Sequence, residues 1–319
     1  MKIVFLGTPG FALPSLEAVA AAHNVVRVVT APPRPRGRGQ RAEPTPVAKR
    51  AQELGIDVMT PERLDAAAVG QLLGLAPDAG VVVAYGRMLP ASLFDAIPCL
   101  NVHPSLLPRH RGAAPIPWTI WSGDRQAGVT IMRIVEELDA GPIHLQEAFP
   151  LGDATTAGEL EAEASRRGAG LLREALALLA AGRLPETPQE GAATYARRLT
   201  REDEQLDLLR PAEEVARQVN ALAPRPGVRV AVLERDLELR LLRGRAVAAD
   251  LPPGRVRAHP EGLLIGTGAG ALLVAELQPA GGRALSAADL LRGRPFLDGA
   301  TVRGRDRAAP PGPRRHARR

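Results

Sequence analysis

The chain has very little cysteine and lysine, and it lacks any long hydrophobic run. Cys99 is the single cysteine among 319 residues, so no disulfide can form within the chain, and no Cys/His cluster has zinc-site spacing. No apolar run reaches the roughly 18 residues that a membrane-spanning helix needs. The apolar start of the chain breaks at Gly7, too early for a secretory signal. These absences predict a cytoplasmic protein with no metal and no membrane partner.

The positive charge of the chain is carried almost entirely by arginine. The formal net charge is +6, and Lys2 and Lys49 are the only lysines. An excess of this sign attracts polyanions such as nucleic acid. Part of it belongs to residues 306–319, whose Arg- and Pro-rich composition predicts a disordered basic tail. Charge alone therefore indicates an RNA partner only weakly.

The first half of the chain alternates between β-type and helical patterns. Apolar or β-branched runs predict strands at residues 2–7, 25–30, 56–59, 79–84, 100–103 and 129–134, with helical patterns between the first four. This alternation is typical of a Rossmann-like α/β domain with a mostly parallel sheet, which we predict for residues 1–190. Residues 31–46 are so rich in Pro, Gly and Arg that we predict no regular structure there. A long helix is predicted over 155–181.

The second half has a different texture. Residues 191–205 are polar and read as a linker. One short helix is predicted over 212–222. Short alternating runs follow it, separated by Gly, Pro and Asp, and this pattern is typical of a small β-barrel. We therefore predict a smaller OB-like β-barrel domain over 206–305.

Asn101 and His103 are the first candidate catalytic residues. They follow a predicted strand, where active sites of open α/β sheets tend to lie, and alternation places both on one strand face. An imidazole can move a proton near neutral pH, and an amide can donate a hydrogen bond to a developing oxyanion. A buried histidine beside a turn asparagine remains an alternative interpretation. Dinucleotide binding is disfavoured, because the turn after Gly7 lacks G-x-G-x-x-G spacing.

Several blocks carry a family resemblance along nearly the whole chain. They are FLGTPGFA at 5–12, VVVAYG at 81–86, NVHPSLLPRHRGAAPI at 101–116, GVTIMRIVEELDAGPI at 128–143, TYARRLTRED at 194–203 and LQPAGGRALSAADLLRG at 277–293. In these blocks the chain resembles the folate-dependent formyltransferase superfamily, and within it the methionyl-tRNA formyltransferase family. The chain departs from that family at Pro33 and Arg225.

The resemblance implies an activity, substrates and site residues. The implied reaction transfers the formyl group of 10-formyltetrahydrofolate to the amino group of methionyl-initiator tRNA, for translation initiation. The implied protein is a cytoplasmic monomer that needs no metal. Asn101, His103 and Asp139 would form the catalytic set. The remaining implied residues fall into two groups, folate-binding and tRNA-binding: Ser105, Leu106, Leu107, Pro108, Tyr85, Gly86 and Met88 for folate, and Arg34, Arg36, Arg38 and Arg41 for tRNA.

Two other functions compete with this one. A formyltransferase of the same superfamily could act on a small amine, such as an amino sugar nucleotide or glycinamide ribonucleotide, with the same catalytic set. A non-enzymatic basic RNA-binding protein would need no such set. The arginine loop and the β-rich half favour tRNA. His110, in a basic loop, and His144, in a strand, are expected to be incidental.

Overall fold

The computed structural model describes residues 1–36 and 41–304, and the predicted tail at 306–319 lies outside them. The chain divides into two compact units. The first comprises Met1–Thr119, Asp124–Leu151 and Glu159–Arg198, and the second comprises Ile120–Gly123, Gly152–Gly158 and the chain from Leu199 onward. The stretch 191–205, predicted as a linker, is thus divided between the two units after Arg198.

The elements up to Arg198 follow the predicted alternation. The strands are β1 (Lys2–Gly7), β2 (Asn24–Val29), β3 (Arg34–Arg36), β4 (Arg41–Glu43), β5 (Val58–Met59), β6 (Ala79–Val83), β7 (Cys99–His103), β8 (Arg111–Gly112), β9 (Gln126–Arg133), β10 (Ile143–Pro150) and β11 (Tyr195–Ala196). The helices are α1 (Leu13–Ala22), α2 (Pro46–Glu53), α3 (Ala66–Leu73), α4 (Ala91–Phe94), α5 (Pro115–Trp121) and α6 (Ala157–Ala180), and a 3-10 turn covers Gly10–Ala12.

The main sheet of the first unit has the strand order β10-β9-β7-β6-β1-β2-β5. The strands from β7 to β5 pair in parallel, and β9 and β10 add antiparallel pairs at the other side. All five residues of β6 are buried, as expected for a strand covered on both faces. This architecture confirms the predicted α/β fold class.

After β1 the chain continues to β2 on one side of β1, and after β6 it continues to β7 on the opposite side. This reversal opens a crevice at the carboxyl ends of β1 and β6, where ligands bind in open α/β sheets. Gly7 pairs with Val83 at these ends, and β7 lies beside β6 with Val82 opposite Asn101. The end of β7 therefore reaches the edge of the sheet where a functional site is expected.

The arginine loop departs from our expectation. No regular structure is predicted over 31–46, but residues 34–36 and 41–43 form a short antiparallel pair, and α2 begins at Pro46. A two-stranded ribbon tolerates Pro35 because half of its backbone groups need no partner strand. Thr45 caps α2 by accepting a hydrogen bond from the Ala48 amide at 3.0 Å, and Pro46 occupies the first turn.

The second unit combines one sheet with short helices. Its elements are α7 (Ala212–Leu222), β12 (Val228–Val232), β13 (Leu237–Val247), β14 (Val256–His259), β15 (Gly262–Gly266), β16 (Ala271–Pro279), β17 (Leu285–Ser286), α8 (Ala287–Gly293) and β18 (Val302–Gly304), with 3-10 turns at Arg201–Glu204 and Pro295–Leu297. The sheet is antiparallel, in the order β14-β15-β16-β13-β12-β18, with β17 on β16.

This second sheet curls into a half-barrel, which confirms the predicted β-rich architecture. A β-bridge between Arg255 and Thr301 connects its two edges, and the Val256 amide donates to the Ala300 carbonyl at 2.8 Å. The apolar face of α7, with Val215, Val219 and Leu222, is buried in the core of this unit.

Candidate active site

Asn101 and His103 share one face of β7, because side chains alternate along a strand. His103 is 4% exposed, and Asn101 is half-buried. Two neighbouring strands fix their backbone, since Asn101 pairs with Val82 of β6 and His103 pairs with Thr130 of β9. The sequence prediction that these two residues stand together at a strand end therefore agrees with the fold.

The hydrogen bond at His103 Nε2 determines which ring nitrogen is basic. Nε2 lies 2.9 Å from the carbonyl oxygen of His110. A carbonyl oxygen only accepts, so in the neutral ring Nε2 carries the proton and Nδ1 carries the lone pair. Nδ1 lies 3.7 Å from Oδ2 of Asp139. The ring thus presents a basic nitrogen beside a carboxylate.

Burial lowers the pKa of His103 below its ordinary value of 6.5. The carboxylate of Asp139 and the carbonyl of His110 act in the opposite direction, but burial outweighs both. His103 is therefore neutral at pH 7, and Nδ1 is available to accept a proton.

Asp139 is held in place by backbone and side-chain donors from elsewhere in the unit. Its Oδ2 accepts a hydrogen bond from the Gly112 amide at 2.8 Å. Gln189 Nε2 donates to the carbonyl oxygens of Asp139 and Gly141, each at 2.8 Å. Asp139 itself has a φ of +51°, a conformation that is uncommon outside glycine. These hydrogen bonds fix the carboxylate against His103.

The side-chain amide of Asn101 forms no hydrogen bond within residues 1–36 and 41–304. An amide that stays free of protein partners at a half-buried position can serve a ligand. The pair therefore offers a free hydrogen-bond donor and a base on one strand face.

The loop predicted to bind folate is fixed by its own polar groups. Ser105 Oγ donates to the Arg109 carbonyl at 2.6 Å, and Thr130 Oγ1 donates to the Ser105 carbonyl at 2.7 Å. Leu107 is buried, and Leu106 packs on Gly128, where any Cβ would lie 2.2 Å from its Cδ2 atom. The Ser105 hydroxyl and the Leu107 side chain thus support the loop, while Leu106 and Pro108 are half-buried.

The second predicted folate wall follows β6. The Tyr85 side chain is buried in the core, and its carbonyl oxygen accepts a hydrogen bond from Thr8 Oγ1 at 3.1 Å. Gly86 has a φ of +79°, which favours glycine. Met88 is 69% exposed.

Three of the four arginines predicted to bind tRNA lie on β3 and β4. Arg34, Arg36 and Arg41 belong to this ribbon, whereas Arg38 lies outside the described residues. Their role in tRNA binding stays a prediction.

Sequence reasoning missed several residues that build this site. His110, expected to be incidental, is buried and provides the carbonyl that holds His103. Gln189 clamps the Asp139 loop, and Thr194 Oγ1 accepts a hydrogen bond from the His110 amide at 2.9 Å. The first unit consequently extends past residue 190, because residues 189–196 hold the site. The polarity of that stretch was the only available signal, and it equally suggested a linker.

Cavity size does not locate this site. A cavity of about 920 Å³ lies at the opposite edge of the sheet, where β1 and β2 begin, and includes Lys2, Glu17 and Asn24 in its lining. Topology locates the site, because the strand reversal and the His103–Asp139 pair occur together at the carboxyl edge.

Two further features of the described residues concern metal ions and membranes. No group of three or more His, Cys, Asp or Glu side chains among them is placed to hold a metal ion. None of the helices in the described part is both long and apolar enough to cross a bilayer.

Comparison with known proteins decides the family. The formyl transferase pattern matches residues 1–176, and the formyl transferase C-terminal domain pattern matches residues 198–295. The methionyl-tRNA formyltransferase of Heliobacterium modesticaldum is 44% identical over 309 residues, covering 92% of this chain and 97% of that protein. This chain belongs to the methionyl-tRNA formyltransferase family.

Two solved structures share the fold of this family member. An N-formyltransferase from Helicobacter canadensis in complex with folinic acid and dTDP-3-aminofucose has a TM-score of 0.64 at 16% identity, covering 86% of this chain and 98% of that one. HypX from Aquifex aeolicus in complex with tetrahydrofolic acid has a TM-score of 0.61 at 21% identity, covering 91% and 47%. At these identities the likeness concerns the fold.

Proposed function

We propose that this protein transfers the formyl group of 10-formyltetrahydrofolate to the amino group of methionyl-initiator tRNA. The observation that carries the proposal is the neutral His103, whose basic Nδ1 faces Asp139 on the strand that also carries Asn101. Formyl transfer to an amine needs a base and an oxyanion donor. A relative of the same family, at 44% identity over nearly the full length, is named for this reaction.

His103 moves a proton from the attacking amine to the departing folate nitrogen. The nitrogen of the amine forms a bond to the formyl carbon, the bond from that carbon to the folate nitrogen breaks, and a proton must leave the amine and reach the folate nitrogen. Nδ1 of His103 accepts this proton from the amine and delivers it to the departing folate nitrogen. Asp139, 3.7 Å away, stabilises the transient imidazolium and orients the ring.

Asn101 stabilises the formyl oxygen. As the amine attacks, negative charge develops on that oxygen, and the unpartnered amide of Asn101 donates a hydrogen bond to it. One donor of this kind is worth roughly 3–4 kcal/mol of activation free energy in other enzymes.

The crevice fits a folate. Folate binds through an apolar ring face and a polar ring edge, which call for apolar side chains and backbone groups on a rigid support. Leu106 and Pro108, in the loop after β7, and Met88, in the loop after β6, retain accessible apolar surface, and Thr130 fixes the first of these loops. 10-Formyltetrahydrofolate supplies the formyl group and is consumed as a substrate. Structures of the same fold hold folates.

The tRNA engages outside this crevice. Arg34, Arg36, Arg38 and Arg41 bind its phosphates, and the second unit adds further surface. Replacing these four arginines with alanine is expected to weaken tRNA binding and to flatten its salt dependence by about one unit of slope for each phosphate that arginine no longer neutralises. Folate affinity, measured in parallel, is expected to stay constant. An unchanged salt slope would show that the loop is passive.

A competition of acceptors tests the proposal directly. The enzyme is supplied with 10-formyltetrahydrofolate and with methionyl-initiator tRNA, free methionine or a dTDP-amino sugar. Formylation of the charged tRNA alone is expected. Preferred formylation of the amino sugar would favour the sugar N-formyltransferases, whose fold this chain shares, and no formylation of any acceptor would refute both functions.

The remaining parts of the proposal are a monomeric state and a cytoplasmic location. Both follow from the expectations for a translation enzyme without a membrane partner. Light scattering coupled to size exclusion tests the first, with 33.7 kDa expected for one chain, and fractionation of cells tests the second.

A further inference from the structure

His110 lies directly behind the catalytic histidine, and its backbone conformation needs an explanation. Its φ is +58°, in the left-handed region that favours glycine. A histidine in this region costs free energy unless its surroundings hold it there. The strained residue is the one whose carbonyl oxygen accepts the proton of His103 Nε2 at 2.9 Å.

Two hydrogen bonds hold His110 in this conformation, and Arg109 holds the partner of one of them. Its side-chain Nε2 lies 2.8 Å from Oδ2 of Asp124, and both side chains are largely buried. Its amide donates to Thr194 Oγ1 at 2.9 Å. Asp124 also accepts hydrogen bonds from Arg109, so its carboxylate is bound from two sides. The ring and the amide of His110 are therefore both anchored, which leaves its carbonyl a single direction.

We propose that His110 and Asp124 form a positioning pair that sets the tautomer of His103. The pair contacts no reacting atom. It acts by aiming the His110 carbonyl at His103 Nε2, which keeps the proton on Nε2 and the lone pair on Nδ1. This role rests on the proposed function, in which Nδ1 is the base.

The alternative tautomer explains why such a pair is needed. Asp139 Oδ2 lies 3.7 Å from Nδ1 and would accept a proton from it. If the His110 carbonyl turned away, the carboxylate would favour the tautomer with its proton on Nδ1. That tautomer directs its lone pair away from Asp139 and cannot accept the amine proton at Nδ1. The competition between one carbonyl and one carboxylate thus controls whether the base is present.

Two variants remove the hydrogen bond between His110 and Asp124, and a third keeps a donor in its place. His110→Phe keeps the ring volume but removes the donor to Asp124, and Asp124→Ala removes the acceptor. His110→Gln places an amide donor at a similar reach. His144→Phe is the matched control, because His144 is also buried and bonds a carbonyl, that of Pro185, at 2.6 Å.

The test combines kinetics with nitrogen-15 NMR of the histidine rings, assigned by the disappearance of signals in His103→Gln. In the wild type, His103 is expected as the Nε2-protonated tautomer. His110→Phe and Asp124→Ala are expected to shift His103 toward the other tautomer and to lower kcat about tenfold, as the removal of roughly one hydrogen bond implies. The KM for folate is expected to stay the same in both variants. His110→Gln is expected to keep the wild-type kcat and the wild-type tautomer of His103, and His144→Phe is expected to change neither quantity.

The double variant separates a shared role from two independent ones. In this protein, which carries both His110→Phe and Asp124→Ala, the decrease in kcat is expected to match that of either single variant, because both substitutions act through the same carbonyl, that of His110. A folded His110→Phe protein with the wild-type tautomer of His103 would overturn the proposal. The NMR measurement needs no substrate, so it stands even if the acceptor competition refutes formyl transfer to tRNA.

Discussion

Replacing Asn101 with alanine should remove catalysis and leave the fold intact. The side-chain amide makes no hydrogen bond to the described residues and is half-buried, so its removal leaves no protein donor or acceptor unpaired. We expect a change of less than about 1 kcal/mol in the free energy of unfolding. If the amide stabilises the formyl oxygen, kcat should fall by about 10²- to 10³-fold, the usual cost of removing one oxyanion donor. Steady-state formylation of methionyl-tRNA and thermal melts measure the two quantities.

A second asparagine provides the control for this prediction. Asn220 is fully buried in the second unit, where its amide donates to the Gly244 carbonyl at 2.8 Å and its oxygen accepts from the Gly244 amide at 3.0 Å. Asn220→Ala should lose about 2–4 kcal/mol of stability, because both Gly244 groups are left unpaired. Its kcat per folded molecule should change little. The reasoning is refuted if Asn101→Ala retains near-normal kcat, or if it destabilises the protein as strongly as Asn220→Ala.

Three further predictions follow from burial and backbone packing. Because burial lowers the pKa of His103, the unfolded chain binds more protons than the folded chain just below pH 6.5, so the free energy of unfolding should fall as the pH drops there. The variant His103→Gln should lose this part of the pH dependence in thermal melts, and a pH profile identical to that of the wild type would contradict the prediction. Burial raises the pKa of the Cys99 thiol to about 12, so mass spectrometry should find native Cys99 alkylated far more slowly at pH 8 than the unfolded chain, and equal rates would refute this. Gly141→Ala should disturb the Asp139 loop and lower kcat, because the new Cβ would lie 1.9 Å from the Arg133 carbonyl oxygen; the control Gly170→Ala, with nothing within 4 Å in α6, should add up to about 1 kcal/mol of stability without changing kcat.

The parts of the fold that were predictable are those with strong local patterns. The continuous apolar run at 79–84 became β6, and the helix predicted over 212–222 became α7 with the same bounds. The ribbon of residues 34–36 and 41–43 was missed because its two strands, RPR and RAE, are three residues long each and show no apolar alternation. β17 contains two residues and exists only through its pairing with β16, a long-range interaction that no local pattern indicates.

The proposed catalytic residues were predictable to different degrees. Asn101 and His103 follow from alternation along one strand. Asp139 does not, because its approach to His103 depends on the antiparallel pairing of β7 with β9 and on the loop that follows β9. Only the family resemblance could indicate it. His110 was undetectable in its main role, since a backbone carbonyl contributes to the site regardless of which side chain the residue carries.

Residues 189–196 show why composition does not indicate how far along the chain the site extends. Polar residues with few apolar neighbours are typical of linkers, because such segments bury little surface. Here the polarity has a structural use, since Gln189 donates to the carbonyl oxygens of the Asp139 loop and Thr194 accepts from the His110 amide. Ala196 pairs with Gly112, whose own amide holds Asp139. The segment therefore binds backbone groups on both sides of His103, and a chain ending before it would keep every proposed catalytic residue without the hydrogen bonds that hold those residues in place.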